Sequence, residues 1–428
     1  MGERIAILTL QRLGDVLTAA RVTDALSRRR STASVEVVHF DATAQAAALL
    51  PGVTARHALP FAGLRRFART HPIAALRSLA ERVATIVGAG GFDTVVNLSS
   101  TRFACWLAPA LLAEGGRVRG PWIDARGQYV ADAPPLAYLN DWGVDPSLGV
   151  FAHQDLYAAA VPVRLAGFAG LRTPDARRTG PIVVQVHGSE RAKDWRTHAD
   201  WAAVVGQLQA RFGRPCVLVG APAEADALAR IAAPAGARVA TVPLVACADL
   251  LAEASGLVGV DTVSIHLAAA VGCPSVVLRQ GPARGYAFVP GPRALLLDAE
   301  REHATVTDVV DACGAQFFSA MPSSATATAL AGRVRVREAI VDEHGWLGLG
   351  APSWCPADPI AAEDARCDER WRRLWRRAFT GAMPDGRELD ELIAGSGRHE
   401  EARRAALFAS STLVGVRARS HVQPGRAA

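Results

Sequence analysis

The apolar run 256–260 (GLVGV) passes without a spacer into Asp261-Thr262 and then into VSIHLAAA, residues 263–270. This abrupt change from strand-like to helical patterning restricts the fold more than any other stretch. A buried strand that feeds straight into a helix reads as part of a parallel sheet whose strands are joined by helical crossovers. Asp261 ends the strand, and Thr262 falls where a helix N-cap would. The backbone N–H groups around Val263 to Ile265 would then point out of the strand's carboxyl end, with the positive pole of the helix behind them, an arrangement that suits a phosphate.

The same alternation runs along the chain. Residues 4–10 (RIAILTL) form a β-branched apolar run that ends at Gln11-Arg12-Leu13-Gly14-Asp15, and residues 16–26 then show helical spacing. Strands are predicted over 35–40 and 92–98, with helices over 42–50, from the basic segment 64–69 through 87, and over 101–112. Between about 165 and 180 the periodicity fades into LAGFAGLRTPDARRTG, which reads as a linker. A second series follows: strands at 182–186, 215–219, 238–242, 257–260 and 274–278, and helices at 199–211, 224–233 and 246–254. The expected class is α/β, with two Rossmann-like, doubly wound parallel-sheet domains facing a cleft at the carboxyl ends of both sheets. Their bounds are 1–170 and 181–315, with a linker at 171–180 and a partly helical extension over 316–428. Residues 319–331 are small and polar, 345–359 read as an irregular loop, and the tail from 410 is expected to be disordered.

Composition narrows the class. No apolar run reaches membrane-spanning length, and the amino terminus reads as a strand rather than a leader, so a cytoplasmic protein is expected. Seven cysteines without a CxxC pair argue for buried reduced thiols over a disulfide framework or a zinc ribbon. The formal net charge of +6 suits anionic partners without singling out nucleic acid, and none is expected. Lys193 is the only lysine among 47 Lys and Arg residues. It is either a chance survivor or sits where a compact ammonium is wanted and a planar guanidinium will not fit.

Glycine-rich nucleotide loops are absent: neither GxGxxG after the first strand nor GxxxxGK[ST] occurs. In the second half, three strand-end loops could converge on a phosphate group: His187-Gly188-Ser189 with Lys193, Gly220 to Glu224, and Asp261-Thr262. A hydroxyl, an ammonium and a helix N-terminus could neutralise a diphosphate, and Glu224 could accept hydrogen bonds from ribose hydroxyls. In the first half, Asp15 could take a proton from an attacking hydroxyl, or it could simply cap the helix that follows.

These residues together resemble the glycosyltransferase family that contains the ADP-heptose:lipopolysaccharide heptosyltransferases. Arg12-Leu13-Gly14-Asp15-Val16-Leu17 is similar to that family's GDxL signature. Lys193-Asp194-Trp195 resembles its K-x-W-P, Gly220 to Glu224 its G-x-x-x-E, and Asp261 to Ala270 its D-T-G-P-M-H-L-A-A-A. Arg65-Arg66-Phe67-Ala68-Arg69 resembles its R-R-W-R-K. The resemblance spans about residues 4–285 and implies a two-domain GT-B fold, a nucleotide-diphosphate sugar donor such as ADP-heptose, and inverting transfer without a metal or other cofactor. It further implies that Asp15 is the general base and that Lys193, Ser189 and the amides opening the 262–271 helix hold the diphosphate. Glu224 would contact the ribose, and Asp261, Thr262, Val263, Ser264 and His266 would line the donor pocket. Arg65, Arg66, Arg69 and Arg102 would grip an anionic glycolipid acceptor, such as the Kdo region of lipid A, or form a solvated basic face.

The sequence departs from the family at Val263, which stands where the family has glycine, at Ser264 and Ile265, which replace proline and methionine, and at Arg196, which replaces the proline after K-x-W. Two rival readings therefore stay open: a catalytically altered GT-B protein that only binds a nucleotide sugar, and a GT-B nucleotide-sugar epimerase. In the extension, Trp371, Leu374, Trp375, Ala378 and Phe379 share one helical face and Arg372, Arg373, Arg376 and Arg377 the other. Such a helix could lie on the inner-membrane surface, making the protein a peripheral enzyme, or it could pack on the domains with its basic face in water, and a monomer is expected.

Overall fold

The computed structural model describes residues 2–29, 33–88, 90–131, 135, 151–161, 178–280, 289–299, 302–342, 345–355, 369, 372–373 and 375–377. The chain forms two compact units, Met1–Ala166 together with Arg366–Ala428, and Gly167–Ala365.

The first unit is built on a five-stranded parallel sheet: β1 Arg4–Thr9, β2 Ser34–Phe40, β3 Ala55–Leu59, β4 Phe92–Asn97 and β5 Leu112–Arg119, in the order β3-β2-β1-β4-β5. The order reverses between β1 and β4, so the loops leaving these two strands open a crevice at their carboxyl ends. Gln11 to Asp15 leaves β1 and Ser99 to Arg102 leaves β4. Ala6 and Leu8 of β1 are wholly buried, together with Ala104, Ala108 and Leu111. Small side chains there let the Arg102–Ala110 helix pack close on the sheet. A two-stranded antiparallel ribbon follows, β6 Pro121–Ile123 with β7 Tyr129–Ala131.

The second unit holds an eight-stranded sheet: β8 Ile182–Gln185, β9 Cys216–Val219, β10 Arg238–Ala240, β11 Gly256–Val260, β12 Ser275–Gln280, β13 Ala294–Ala299, β14 Arg335–Val341 and β15 Leu347–Gly350. Its order is β10-β9-β8-β11-β12-β13-β14-β15. The strands from β10 to β13 are parallel, whereas β14 and β15 add antiparallel at one edge. The reversal of order lies between β8 and β11. Trp201, Val204, Val205 and Leu208 recur at helical spacing on the His198–Phe212 helix and are buried, and they belong to the same core as β8 and β9.

The domain limit expected at residue 315 is corrected by this sheet, which takes in two further strands beyond it. Residues 319–331 look too polar for a helix, yet Ser324–Arg333 is one. Ser323 caps it by accepting from the Thr326 amide at 3.2 Å, and Ala327 and Leu330, one turn apart, are buried. Part of the loop expected at 345–359 is the edge strand β15. The linker expected at 171–180 falls mostly outside the described residues, as does the tail from 410.

The described residues of the extension pack differently from a membrane-surface helix. Arg372 is 3 % exposed with its guanidinium 5.7 Å from the centre of the Phe151 ring, and Trp375 is buried. Of its four arginines only Arg373 and Arg377 are exposed. Trp371, Leu374, Ala378 and Phe379 lie outside the described residues. A membrane face on this helix needs Trp375 outside and Arg372 at the surface, and neither condition holds.

β14 is held by charge as well as by its ladder. Asp298 of β13, 1 % exposed, accepts from Arg279 of β12 and, at 2.8 Å, from Nε of Arg337 on β14. Burial alone would raise its carboxyl pKa, but the two guanidiniums outweigh burial and hold it below the usual value. A depressed folded value contributes stability that is present above the unfolded value and is lost as pH falls through the folded one. Asp298→Asn is expected to cost about 3 kcal/mol, because it removes the anion shared by the buried Arg279 and the partly buried Arg337. Thermal melting should fall by roughly 6–12 °C at neutral pH, with the gap to wild type narrowing in acid.

The six cysteines among the described residues are unpaired and buried, and burial pushes the Cys216 thiol up to about 12.

Candidate functional site

In the second unit the three motif loops leave three neighbouring strands, β9, β8 and β11, at their carboxyl ends. The 3-10 turn Arg191–Lys193, reached from β8, brings the lysine to the strand end of β11. Its Nζ donates to the Asp261 carbonyl at 3.2 Å and lies 3.4 Å from the Asp261 carboxylate. Lys193 thus spans the point where the strand order reverses.

Two features hold it there. A Cβ on Gly188 would come within 2.8 Å of the Lys193 Cβ, so only glycine lets the lysine stem lie against the strand end. Trp195 is 4 % exposed, donates from Nε1 to the Ala304 carbonyl at 3.1 Å and meets Trp201 edge to face at 5.0 Å. The lysine is therefore carried on a turn anchored by a buried indole two residues away. Asp194, between them, accepts from the Gly188 amide at 3.1 Å.

The G-x-x-x-E spacing has a similar cause. Glu224 turns back and accepts from the Ala221 amide at 2.8 Å, and a Cβ on Gly220 would stand 2.4 Å from the same carboxylate oxygen. Glycine leaves the room the carboxylate occupies, while Glu224 stays partly exposed.

At the corner itself, Thr262 caps the Val263–Ala270 helix by accepting from the Ser264 amide at 3.2 Å, and the Ile265 amide donates to the Thr262 carbonyl at 3.2 Å. This corrects the expectation that the amides of Val263 to Ile265 are all available to an anion. Thr262 takes two of them, and the Val263 amide is the one left among the three. The Ser264 side chain also turns inward: it is 5 % exposed and donates to Gln185 Oε1 at 2.7 Å. Ser189 is exposed and His266 partly so. Gln185, which also donates to the His187 carbonyl at 2.9 Å, escaped the sequence reading although an amide closing an apolar strand was a visible signal.

In the first unit the helix after β1 runs Leu13–Thr18, so Asp15 is its third residue rather than the residue before it. Its carboxylate accepts from the Arg12 amide at 3.2 Å, within reach of the helix's positive end. Beside it, Tyr157 is 1 % exposed and donates to Gln11 Oε1 at 3.2 Å. Burial, and after it the Asp15 carboxylate, pushes the Tyr157 phenol well up. Tyr157 and Gln11 were not singled out from sequence. Arg65, Arg66 and Arg69 are exposed on and just after the Phe61–Ala68 helix that follows β3, and Arg102 is exposed at the start of the helix that follows β4. All four lie beyond carboxyl ends of the first sheet.

Comparison with known proteins agrees with this arrangement. Residues 153–280 match the model of glycosyltransferase family 9 (heptosyltransferase). No curated protein matches the chain. Among solved structures, Escherichia coli heptosyltransferase WaaC with ADP-2-deoxy-2-fluoro heptose is 19% identical with a TM-score of 0.54, the match covering 74% of this chain and 99% of that one. The glycosyl transferase family 9 protein from Veillonella parvula is 15% identical with a TM-score of 0.57, covering 74% and 98%. E. coli ADP-heptose lps heptosyltransferase II is 18% identical with a TM-score of 0.53, covering 74% and 99%. At these identities the structures show a shared GT-B fold. The family segment includes the Lys193, Glu224 and Asp261 motifs, whereas Asp15 and the arginines of the first unit lie outside it. The resemblance read from the motifs holds on that segment: residues 153–280 match the model of glycosyltransferase family 9 (heptosyltransferase), in a chain with the fold of solved heptosyltransferases.

Proposed function

We propose that the protein transfers a sugar, heptose first among the candidates, from a nucleotide-diphosphate donor to a lipopolysaccharide core or related anionic glycolipid, with inversion and without a metal. The observation that supports this most is the docking of Lys193 across the strand-order reversal of the second sheet onto Asp261, at the mouth of the Val263–Ala270 helix. An ammonium has three donors, and Asp261 engages two of them, so one remains for a diphosphate oxygen. The Val263 amide and the helix dipole add to it, and Glu224 presents its second carboxylate oxygen to the ribose.

In this reading Asp15 takes the proton of the acceptor hydroxyl as that oxygen attacks the anomeric carbon from the face opposite the diphosphate. The bond from the anomeric carbon to the diphosphate oxygen breaks, and its electron pair passes to the diphosphate. Lys193 and the helix N-terminus stabilise the charge that grows there, which is the task a divalent cation performs in other transferases. Arg65, Arg66, Arg69 and Arg102 hold anionic groups of the acceptor. The solved relative bound to an ADP-heptose analogue supports ADP-heptose as the first donor to try.

The test is a donor screen on the purified full chain, with ADP-heptose and other nucleotide sugars, with and without Kdo-bearing lipid A, in buffer containing EDTA. Transfer from one donor that depends on acceptor and survives EDTA is the expected result. Product formed without acceptor would favour epimerisation, binding without turnover would favour an inactive descendant, and either would overturn the proposal.

A further inference from the structure

The first unit turns an apolar face outward. The Pro72–Val87 helix has two apolar stripes. Ala75 and Ile86 are buried, and Leu79 packs on the same core. On the opposite side Ile73 and Leu76, one turn apart, are 69% and 62% exposed, and Arg77 follows Ile73 by one turn. The Phe61–Ala68 helix, which precedes it, buries none of its residues fully. Its Phe67 is 43% exposed and stacks on the His71 ring at 5.1 Å. On the Arg102–Ala110 helix, whose Phe103 ring lies 5.0 Å from Phe61, Trp106 is 67% exposed.

The charge is of one sign over residues 42–80, and Glu81, exposed one turn after Arg77, is the first acid to follow. Between Asp41 and Glu81 the sequence has five arginines and no acidic residue. Arg65, Arg66, Arg69 and Arg77 are exposed among the apolar side chains. An ordinary surface helix is polar on its outer side, and an outward apolar stripe rimmed by cations marks a surface built to meet something. A second copy of the chain, meeting this face two-fold, would set these arginines against one another. An anionic bilayer satisfies both halves of the pattern: apolar side chains enter the headgroup boundary while guanidiniums bind lipid phosphates, and an exposed tryptophan suits the same interface.

We propose that residues 61–77 form a docking surface for an anionic lipid bilayer, with Ile73, Leu76 and Phe67 inserted and Arg77 on the lipid phosphates, beside the arginines assigned to the acceptor. This surface is separate from the extension at Arg372 and Trp375. It does not depend on the transfer reaction, because binding is read without donor or acceptor.

The experiment is co-sedimentation of the full chain with vesicles of phosphatidylcholine alone or mixed with phosphatidylglycerol. Wild type should bind the mixed vesicles and not the neutral ones. Ile73→Ser/Leu76→Ser should weaken binding roughly tenfold or more, since burying either side chain is worth at least that factor. Arg77→Glu should weaken binding to the mixed vesicles. All variants should melt as wild type does, because the altered side chains face water. Failure of wild type to bind the mixed vesicles, or binding undiminished in the double variant, would overturn the proposal. A concentration-dependent dimer abolished by the double variant would assign the face to a second copy and overturn it equally.

Discussion

Asp15→Asn is expected to lower the turnover number by about 10²–10⁴-fold, the range for removing a positioned general base, with ADP affinity and melting temperature unchanged. The substitution suits the local structure. Asp15 is the third residue of its helix and accepts from the Arg12 amide, and an asparagine carbonyl oxygen can keep that bond. What asparagine cannot do is take a proton. Asp15→Ala would remove the helix-start acceptor too, at a cost of about 1 kcal/mol, and would blur the two roles. Turnover measured under saturating donor and acceptor separates them. An asparagine variant that works as well as wild type would leave Asp15 with its helix-capping role alone.

Lys193→Arg should also be severe, lowering transfer on the order of 10²–10³-fold, as removal of one donor to a developing negative charge does elsewhere. The stem of Lys193 passes against Gly188, and its ammonium reaches both the carbonyl and the carboxylate of Asp261. A guanidinium is wider and planar and holds its donors in a fixed fork, so it cannot place single donors at both Asp261 and the diphosphate from the same turn. Lys193→Met, which keeps the stem and removes the charge, should lose at least as much. The sequence offers a second check, because Lys193 is the only lysine. An amine-directed reagent can modify only this side chain and the amino terminus, and ADP should protect the former. Full activity in Lys193→Arg, or modification unaffected by ADP, would make the lysine structural.

The readable elements were those whose own residues carry enough signal. β1, β8 and β11 are nearly continuous apolar runs buried on both faces, and their burial was evident before any contact was known. β3 (ARHAL) and β14 (RVREAIV) mix charged and apolar residues, and their strand identity comes from pairing with β2 and β13. The site divides in the same way. Asp261, Lys193 and Glu224 could be named because glycine, cation and carboxylate recur at short spacings that local backbone geometry requires. Gln185 meets Ser264 from 79 positions away, and Tyr157 meets Gln11 from 146, so neither partnership leaves a local pattern.

By itself the sequence determined that this chain builds two parallel α/β units, and it placed a lysine, a glutamate and an aspartate at strand ends. Hydrophobic period and turn chemistry act over a few residues, and both are written in consecutive positions. The tertiary structure decided which of those groups meet. It set Lys193 on Asp261, turned Ser264 inward to Gln185 and used two amides of the corner helix for its own cap. It also buried Trp375 while leaving Ile73 and Leu76 outside. Each of these outcomes depends on which distant side chain arrives first at a hydrogen-bonding group or an apolar face, and only the folded packing fixes that.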